Sequence, residues 1–170
     1  MAARQAIEAA FRAADARLDS LQALMQTYEH DRLLDDGGKW SVRDCLAHVA
    51  ATARVSTFGQ RAFERVIRTT PAPAPTPGGP TIDDRTAQQV AERADKSIAE
   101  LIAEAKQAHV DALREIAAMP DATLDTTIPP AQPGGPTTTV GGTVLRMLEY
   151  HEGGQVDRIE NALRARTRWR

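Results

Sequence analysis

The chain is short of aromatic residues and of cysteine, and it contains no long apolar run. Its 170 residues include three Phe, two Trp and two Tyr, and Cys45 is the single cysteine. One cysteine excludes an internal disulfide and a thiolate metal cluster. No apolar stretch is long enough to cross a bilayer, and the N-terminal residues lack the apolar core of a signal peptide. We therefore expect a cytoplasmic protein with no membrane partner.

The chain also lacks a large excess of either positive or negative charge. Lys and Arg number 21 and Asp and Glu number 23, which gives a formal net charge of −2. A balance of this kind gives no reason to expect a polyanionic partner. The basic ending RARTRWR suits the negative end of a helix dipole. We therefore expect no nucleic-acid partner.

What the sequence does have is helical periodicity and many good helix formers. The apolar spacing predicts a first helix over residues 3–30 and a second from the Ser41 cap to about Thr69. It predicts a third helix over residues 83–118, which Pro120 ends, and a fourth from about Thr139 to the C-terminus. Each carries an apolar stripe of the kind that bundle helices bury. The fold class is therefore all-α, as one domain spanning residues 1–170.

The segment PAPAPTPGGP, residues 71–80, separates the second and third predicted helices. Its five prolines and two glycines favour an extended, exposed connector. The segment is long for a tight antiparallel turn, so we interpret it as a crossover. The expected architecture is a four-helix bundle in up-down-down-up order, with a long crossover between helices 2 and 3.

The fourth helix places polar residues on its predicted inner face. His151 and Gln155 are one turn apart, which predicts that both point into the bundle. Burying such groups is costly unless they are paired or bind something. Gly153 and Gly154 between them cost roughly 2 kcal/mol relative to Ala. On one interpretation, tertiary packing simply offsets that cost. On the other, the two glycines allow a neighbouring helix or a ligand to approach the fourth helix closely. The predicted stripe is Val144, Leu148, His151, Gln155, Ile159 and Ala162.

The second helix carries His48 at the edge of its inner face. Asp44, one turn earlier, is available to orient the imidazole or to add an oxygen ligand. A lone histidine on a helix is more often a hydrogen-bonded or partly exposed side chain than a metal ligand. Cys45 is expected in the core as an inert small hydrophobe. We interpret His30 and His109 as surface residues.

Two motifs in the chain resemble the DinB-like superfamily: WSVRDCLAHVA, residues 40–50, and TVGGTVLRMLEYHEGGQVDRI, residues 139–159. That group includes mycothiol-dependent maleylpyruvate isomerases and bacillithiol transferases. The resemblance implies a four-helix bundle with a crossover between the second and third helices. It also implies a divalent metal, Zn or Ni, held by three histidines. One lies in a W-S-x-x-x-x-x-x-H pattern on helix 2, and two form an H-x-x-x-H pair on helix 4.

On that pattern His48 matches the first histidine and His151 the second, while Gln155 stands at the third. A Gln carbonyl oxygen is a weak neutral ligand compared with imidazole, so we expect low metal occupancy. Gly154 stands where the family often has an acidic residue. Glu152 is a poor replacement, because it points about 100° away from His151 around an α-helix.

Two functions stay open. One is a metal-dependent small-molecule enzyme on His48, His151 and Gln155, and by family analogy a thiol-dependent S-transferase or isomerase that uses a low-molecular-weight thiol. The other is a non-catalytic bundle that lost its metal and serves as a ligand-binding or dimerising stress-related protein. In that case the same three side chains form a polar network in the core. A homodimer is compatible with either function.

Overall fold

A computed structural model describes residues 2–25, 30, 32–35, 40–53, 81–128 and 137–167. Its helices are α1 (Ala2–Leu24), α2 (Val42–Ala53), α3 (Ile82–Ala91), α4 (Ile98–Ala118), α5 (Asp121–Leu124), α6 (Val140–Arg146) and α7 (Gly153–Thr167). A π-helical segment, Met147–Glu152, joins α6 to α7, and we call these three elements together the C-terminal helix. Two short strands, β1 (Thr127–Ile128) and β2 (Thr138–Thr139), pair antiparallel.

Helix α1 runs antiparallel to α4. Near the start of α1, Arg4 donates to a carboxylate oxygen of Asp121, just beyond the end of α4, at 2.8 Å. Near the other end of α1, Asp19 accepts a hydrogen bond of 2.7 Å from Lys106, in the first half of α4. The two contacts join opposite ends of the helices, which fixes their relative direction.

The C-terminal helix runs parallel to α1 and antiparallel to α2. Arg17, late in α1, donates to Asp157, late in the C-terminal helix, at 2.7 Å. Asp35, ahead of α2, hydrogen-bonds to Arg158, whereas His48 within α2 contacts the earlier residue His151. Helices α2 and α4 therefore point the same way, which requires a crossover between them. The predicted all-α bundle with up-down-down-up order is confirmed.

The third predicted helix is two helices, so the prediction of one continuous helix over residues 83–118 is wrong. Helix α3 ends at Ala91 and α4 begins at Ile98. Ser97 starts α4 with a reciprocal pair of bonds. Its hydroxyl accepts from the Glu100 N–H at 3.3 Å, and its own N–H donates to the Glu100 carboxylate at 2.7 Å. This capping box satisfies N–H groups that a helix start leaves free, so a new helix begins without Gly or Pro.

The other predicted boundaries agree in part. Helix α2 begins as expected, because Ser41 and Asp44 exchange two hydrogen bonds of 3.0 Å in a capping box. Helix α1 ends at Leu24, earlier than predicted. The extension of the second helix to Thr69 and the connector at residues 71–80 lie outside the described residues.

The core consists of two apolar clusters along the bundle axis. One joins α2 to α4 and α7 and contains Cys45, so its predicted core position is confirmed. The other joins the start of α1 to the end of α4 and α6, around Phe11. Helices α1, α2, α4, α6 and α7 bury apolar side chains in this way, and such burial is the main source of stability for a bundle. In the described part of the chain, no helix has the length and apolarity needed to span a membrane.

Candidate metal and small-molecule site

A π-helical turn interrupts the C-terminal helix where the sequence predicts a continuous α-helix. The N–H of Gly153 bonds to the carbonyl of Leu148, five residues earlier. A Cβ atom at position 153 would lie 3.2 Å from that same carbonyl, so glycine fits the widened turn. Single π-turns of this kind are frequent at functional sites.

The π-turn changes which residues face the core. The buried positions along this stretch are Leu148, Glu152 and Val156, whereas His151 and Gln155 are half-buried beside them. The prediction that His151 and Gln155 lie on the central inner stripe is therefore wrong. A π-turn takes up more residues than an α-turn, so it rotates the residues around it relative to a regular helix.

Helix α2 brings His48 against His151. The two ring centroids are 5.1 Å apart and the ring planes make an angle of 75°. Trp40, just ahead of α2, packs on the His48 ring at 5.4 Å and 71°. His48 is only 5% exposed, so these contacts hold its ring in one orientation. The two histidines that the motifs single out thus meet in the fold.

The electrostatics of the site keep His48 neutral at pH 7. Burial, followed by the charge of His151, lowers the pKa of His48 to about 4, against a hydrogen bond to Gln89 that raises it. The Nδ1 atom is buried and has no hydrogen-bond partner among the described residues. A neutral imidazole has one unprotonated nitrogen, and Nδ1 in that state would offer its lone pair to a ligand.

Gln155 supplies a second polar atom without a partner. Its side-chain Oε1 is buried and accepts no hydrogen bond within the part of the chain that the structure describes. An amide oxygen in this state costs free energy unless a donor or a cation reaches it. Gln155 follows His151 by one turn, so its oxygen belongs to the same region of the helix. Asp44 does not contribute there, because its carboxylate caps α2.

The donor set at this site fits a weakly held divalent ion. Two imidazoles that bind one Zn²⁺ at about 2.0–2.1 Å in tetrahedral geometry have ring centroids about 5 Å apart. The observed separation of the His48 and His151 rings is 5.1 Å. Within the described ranges, no group of three or more His, Cys, Asp or Glu residues is placed to hold a metal. A third ligand from the described residues therefore has to be of another type, and the Gln155 oxygen is one.

A sequence model of the DinB superfamily matches residues 2–154. The chain belongs to the DinB superfamily. The matched residues include His48 and His151 and end one position before Gln155. No curated protein and no solved structure matches the chain. The family predicted from the two motifs is thus confirmed, whereas family membership by itself leaves the reaction open.

This DinB-superfamily bundle also contains a buried ionic cluster that the sequence analysis missed. His109 is 0% exposed, so its interpretation as a surface residue is wrong. Its Nδ1 lies 2.7 Å from Asp15 Oδ1 and its Nε2 lies 3.1 Å from Glu152 Oε2. Burial lowers the pKa of His109, but hydrogen bonds to Glu152 and Asp15 and their charges outweigh burial and raise it. With both nitrogens donating to carboxylates, the ring is an imidazolium.

A second row of buried residues on α4 explains why His109 was missed. Ile102 and His109 on α4 are seven residues apart and both are buried. Bundle helices often bury such a second row beside the first. The heptad spacing of these two residues was the one signal available in the sequence.

Arg158 has a structural role in this DinB-superfamily chain. Its guanidinium hydrogen-bonds to the buried side chain of Asp35. The Cys45 thiol donates to the same carboxylate at 3.7 Å. Burial, and next the charge of Asp35, raises the pKa of Cys45 to about 12. The thiol therefore stays protonated, as expected of a core cysteine.

Proposed function

We propose that this protein binds a divalent metal ion, Zn or Ni, through His48 and His151, with Gln155 as a weaker third ligand, and acts on a small molecule at that site. The observation that carries this proposal is the edge-to-face contact of the two imidazoles at 5.1 Å. The buried Nδ1 of His48 and Oε1 of Gln155 lack partners among the described residues, which supports it. Membership of the DinB superfamily is consistent with this use of the two histidines.

The chain's own residues prepare the site in three ways. The Gln89 side chain hydrogen-bonds to the His48 imidazole, as partners of ligating histidines commonly do. Trp40 packs on the His48 ring and limits its rotation. The π-turn sets His151 at the edge of the bundle, where it is half-buried and accessible to a ligand.

When bound, such a metal would supply Lewis acidity that lowers the pKa of a coordinated thiol or water. Three protein donors leave a position free for that group, as in catalytic zinc sites. The resemblance to thiol-dependent members of the superfamily favours S-transfer or isomerisation with a low-molecular-weight thiol. Gln155, as a neutral ligand, makes binding of the metal weaker than three histidines would.

A second function rests on Gln155 itself. Gln155 has an amide at the position where the family pattern has a histidine. This favours a bundle that has lost its metal and keeps a polar cleft for an uncharged ligand or for dimerisation. In that case His48 Nδ1 and Gln155 Oε1 would bind water or a ligand's donor groups. The two functions differ in whether metal uptake depends on the histidines.

Elemental analysis and zinc titration distinguish the two functions. Both measurements use tag-free protein that was purified without chelator. We expect the wild type to take up a single equivalent of Zn²⁺ or Ni²⁺, and His48→Ala and His151→Ala to lose it. His30→Ala is the matched control, because its ring caps the Leu24 carbonyl away from this site. A wild type that takes up neither metal, or uptake unchanged in both site variants, would contradict the metal site and leave the second function.

A further inference from the structure

Helix α3 is held on the bundle more by polar contacts than by apolar burial. None of its side chains that the structure describes is fully buried, whereas α4 buries seven. A groove of about 330 Å³ lies between α3 and the start of α2, and its lining includes Trp40, Val90 and Ala91. Because apolar packing contributes less here than elsewhere in the bundle, the hydrogen bonds of α3 and of the turn that follows it decide where this helix lies.

Arg43 on α2 holds the turn between α3 and α4. Its guanidinium donates from Nη2 to the carbonyl oxygens of Arg93 at 3.1 Å and Ala94 at 2.6 Å, and also to that of Lys96. Carbonyls at the end of a helix and just beyond it lack intrahelical donors, so one guanidinium placed there satisfies several of them. The end of α3 is thereby tied to the helix that carries His48.

A second arginine connects this turn to Gln89. Arg93 donates to the backbone carbonyl of Gln89 at 2.9 Å and to the carboxylate of Glu104 on α4 at 2.8 Å. The side chain of Arg93 is 12% exposed and that of Glu104 is 13% exposed, so solvent screens their ion pair little. Lys96 also pairs with Glu104, at 2.5 Å. The turn is therefore tied to both α2 and α4, and Gln89 lies one helical turn ahead of it.

Helices α2 and α3 are thus joined at two points, because the Gln89 side chain also hydrogen-bonds to the His48 imidazole. We infer that Arg43 is a positioning residue for His48 and acts through the turn and Gln89. Without the guanidinium, α3 is free to shift over the groove, and Gln89 loses its place on the imidazole. This inference rests on the proposed function, in which His48 is a metal ligand.

The test is a double-mutant cycle on the zinc affinity of the full-length protein, measured by competition with a chromophoric chelator. We expect Arg43→Met and Gln89→Ala each to weaken zinc binding by roughly tenfold, since hydrogen-bond partners of ligating histidines have effects of that order. Arg43→Met added to Gln89→Ala should weaken binding by less than about twofold more, because both residues act through one hydrogen bond. Additive losses, or no loss in Arg43→Met, would overturn the inference.

Arg4→Met is the matched control. The Arg4 guanidinium also donates to carbonyl oxygens at a helix end, those of Ile116 and Met119, but at the opposite end of α4 from the turn. We expect Arg4→Met to lower the free energy of unfolding and to leave zinc affinity unchanged. Equal losses of zinc affinity in Arg4→Met and Arg43→Met would mean that general destabilisation is the cause, and would overturn the inference. If Arg43→Met fails to fold, Arg93→Met takes its place in the cycle, and additivity with Gln89→Ala decides in the same way.

A second readout uses the metal-free protein and separates this inference from the proposed function. The His48 ring signals in ¹H–¹³C NMR spectra are assigned by their absence in His48→Ala. We expect Arg43→Met and Gln89→Ala to shift these signals in the same direction, and Arg4→Met to leave them in place. Signals that keep their wild-type positions in Arg43→Met would overturn the inference. A wild type that binds no zinc but shows these shifts would support the positioning role and contradict only the metal site.

Discussion

His48 on α2 and His151 on the C-terminal helix meet edge to face, with their ring centroids 5.1 Å apart. An edge-to-face contact between two imidazoles is a modest attraction by itself. The contact matters because His48 is buried and its Nδ1 atom has no hydrogen-bond partner in the described part of the chain. This supports the proposal that the pair serves as two nitrogen donors for a shared ligand, and the first prediction concerns the proposed third donor.

Gln155→His is expected to tighten zinc binding by roughly tenfold or more, because imidazole is a far better ligand than an amide oxygen. Competition with a chromophoric chelator measures the affinity. Gln107→His, an exposed position on α4, is the matched control for adding a histidine anywhere on the surface. Equal gains in the two variants, or none at Gln155, would contradict the assignment of position 155 to the site.

The buried imidazolium of His109 predicts a pH dependence of stability. Its pKa is raised in the folded state by Glu152 and Asp15, although burial opposes this. The stabilisation is therefore complete below the unfolded value near 6.5 and is lost as pH rises through the raised folded pKa. His109→Asn should cost roughly 3 kcal/mol at pH 6, since it leaves two carboxylates without their cation.

Urea unfolding from pH 6 to pH 9 measures the difference between wild type and His109→Asn. We expect that difference to shrink as pH rises. His30→Asn, at a half-buried position outside the cluster, should show no such trend. A difference that stays constant or grows with pH would show that His109 is buried as a neutral ring.

The two adjacent glycines predict opposite responses to alanine. Gly154 has no atom within 4 Å of an added Cβ in the described structure, so Gly154→Ala should stabilise the protein by about 1 kcal/mol through helix propensity. At Gly153 the added Cβ would lie 3.2 Å from the Leu148 carbonyl, which offsets that gain or reverses it. Thermal unfolding of the two variants provides the comparison, and equal stabilisation would argue against the π-turn.

The ion pair of Arg158 with Asp35 predicts a large cost for removing one partner. The side chain of Asp35 is 0% exposed, so Arg158→Met leaves a buried carboxylate short of its cation and should cost roughly 3 kcal/mol. Arg164, which pairs with Glu160 on the surface at 3.0 Å, is the matched control. Arg164→Met should cost about 1 kcal/mol or less. Chemical denaturation of both variants tests the contrast, and similar small losses would mean that the Asp35 pair is well hydrated.

The parts of the fold that could be predicted from sequence are those that depend on local periodicity. The Ser41 cap of α2, the start of the C-terminal helix after Thr139 and the meeting of His48 with His151 all follow from short motifs. The break between α3 and α4 was also readable, because Ser97 and Glu100 have the spacing of a capping box. It was missed because the apolar spacing continues across the break.

The rest depends on contacts between distant residues. The π-turn at residues 147–152 has no local sequence signature beyond the glycine that follows it. His109 is buried only because Asp15 and Glu152, from two other helices, balance its charge. A pattern confined to one helix carries no information about such partners. That is why the sequence indicated the histidine pair and missed the ionic cluster beside it.

The parallel pairing of α1 with the C-terminal helix determines when the chain can fold. Arg17 and Asp157 are 140 positions apart, so this contact of the first helix cannot form until the intervening residues have been synthesised. Until then the apolar side of α1 that faces α6 and α7 stays exposed to solvent or to a chaperone. Contacts so distant in sequence also slow folding relative to a bundle whose neighbours are all consecutive. For an all-helical bundle, folding is therefore expected to be slow.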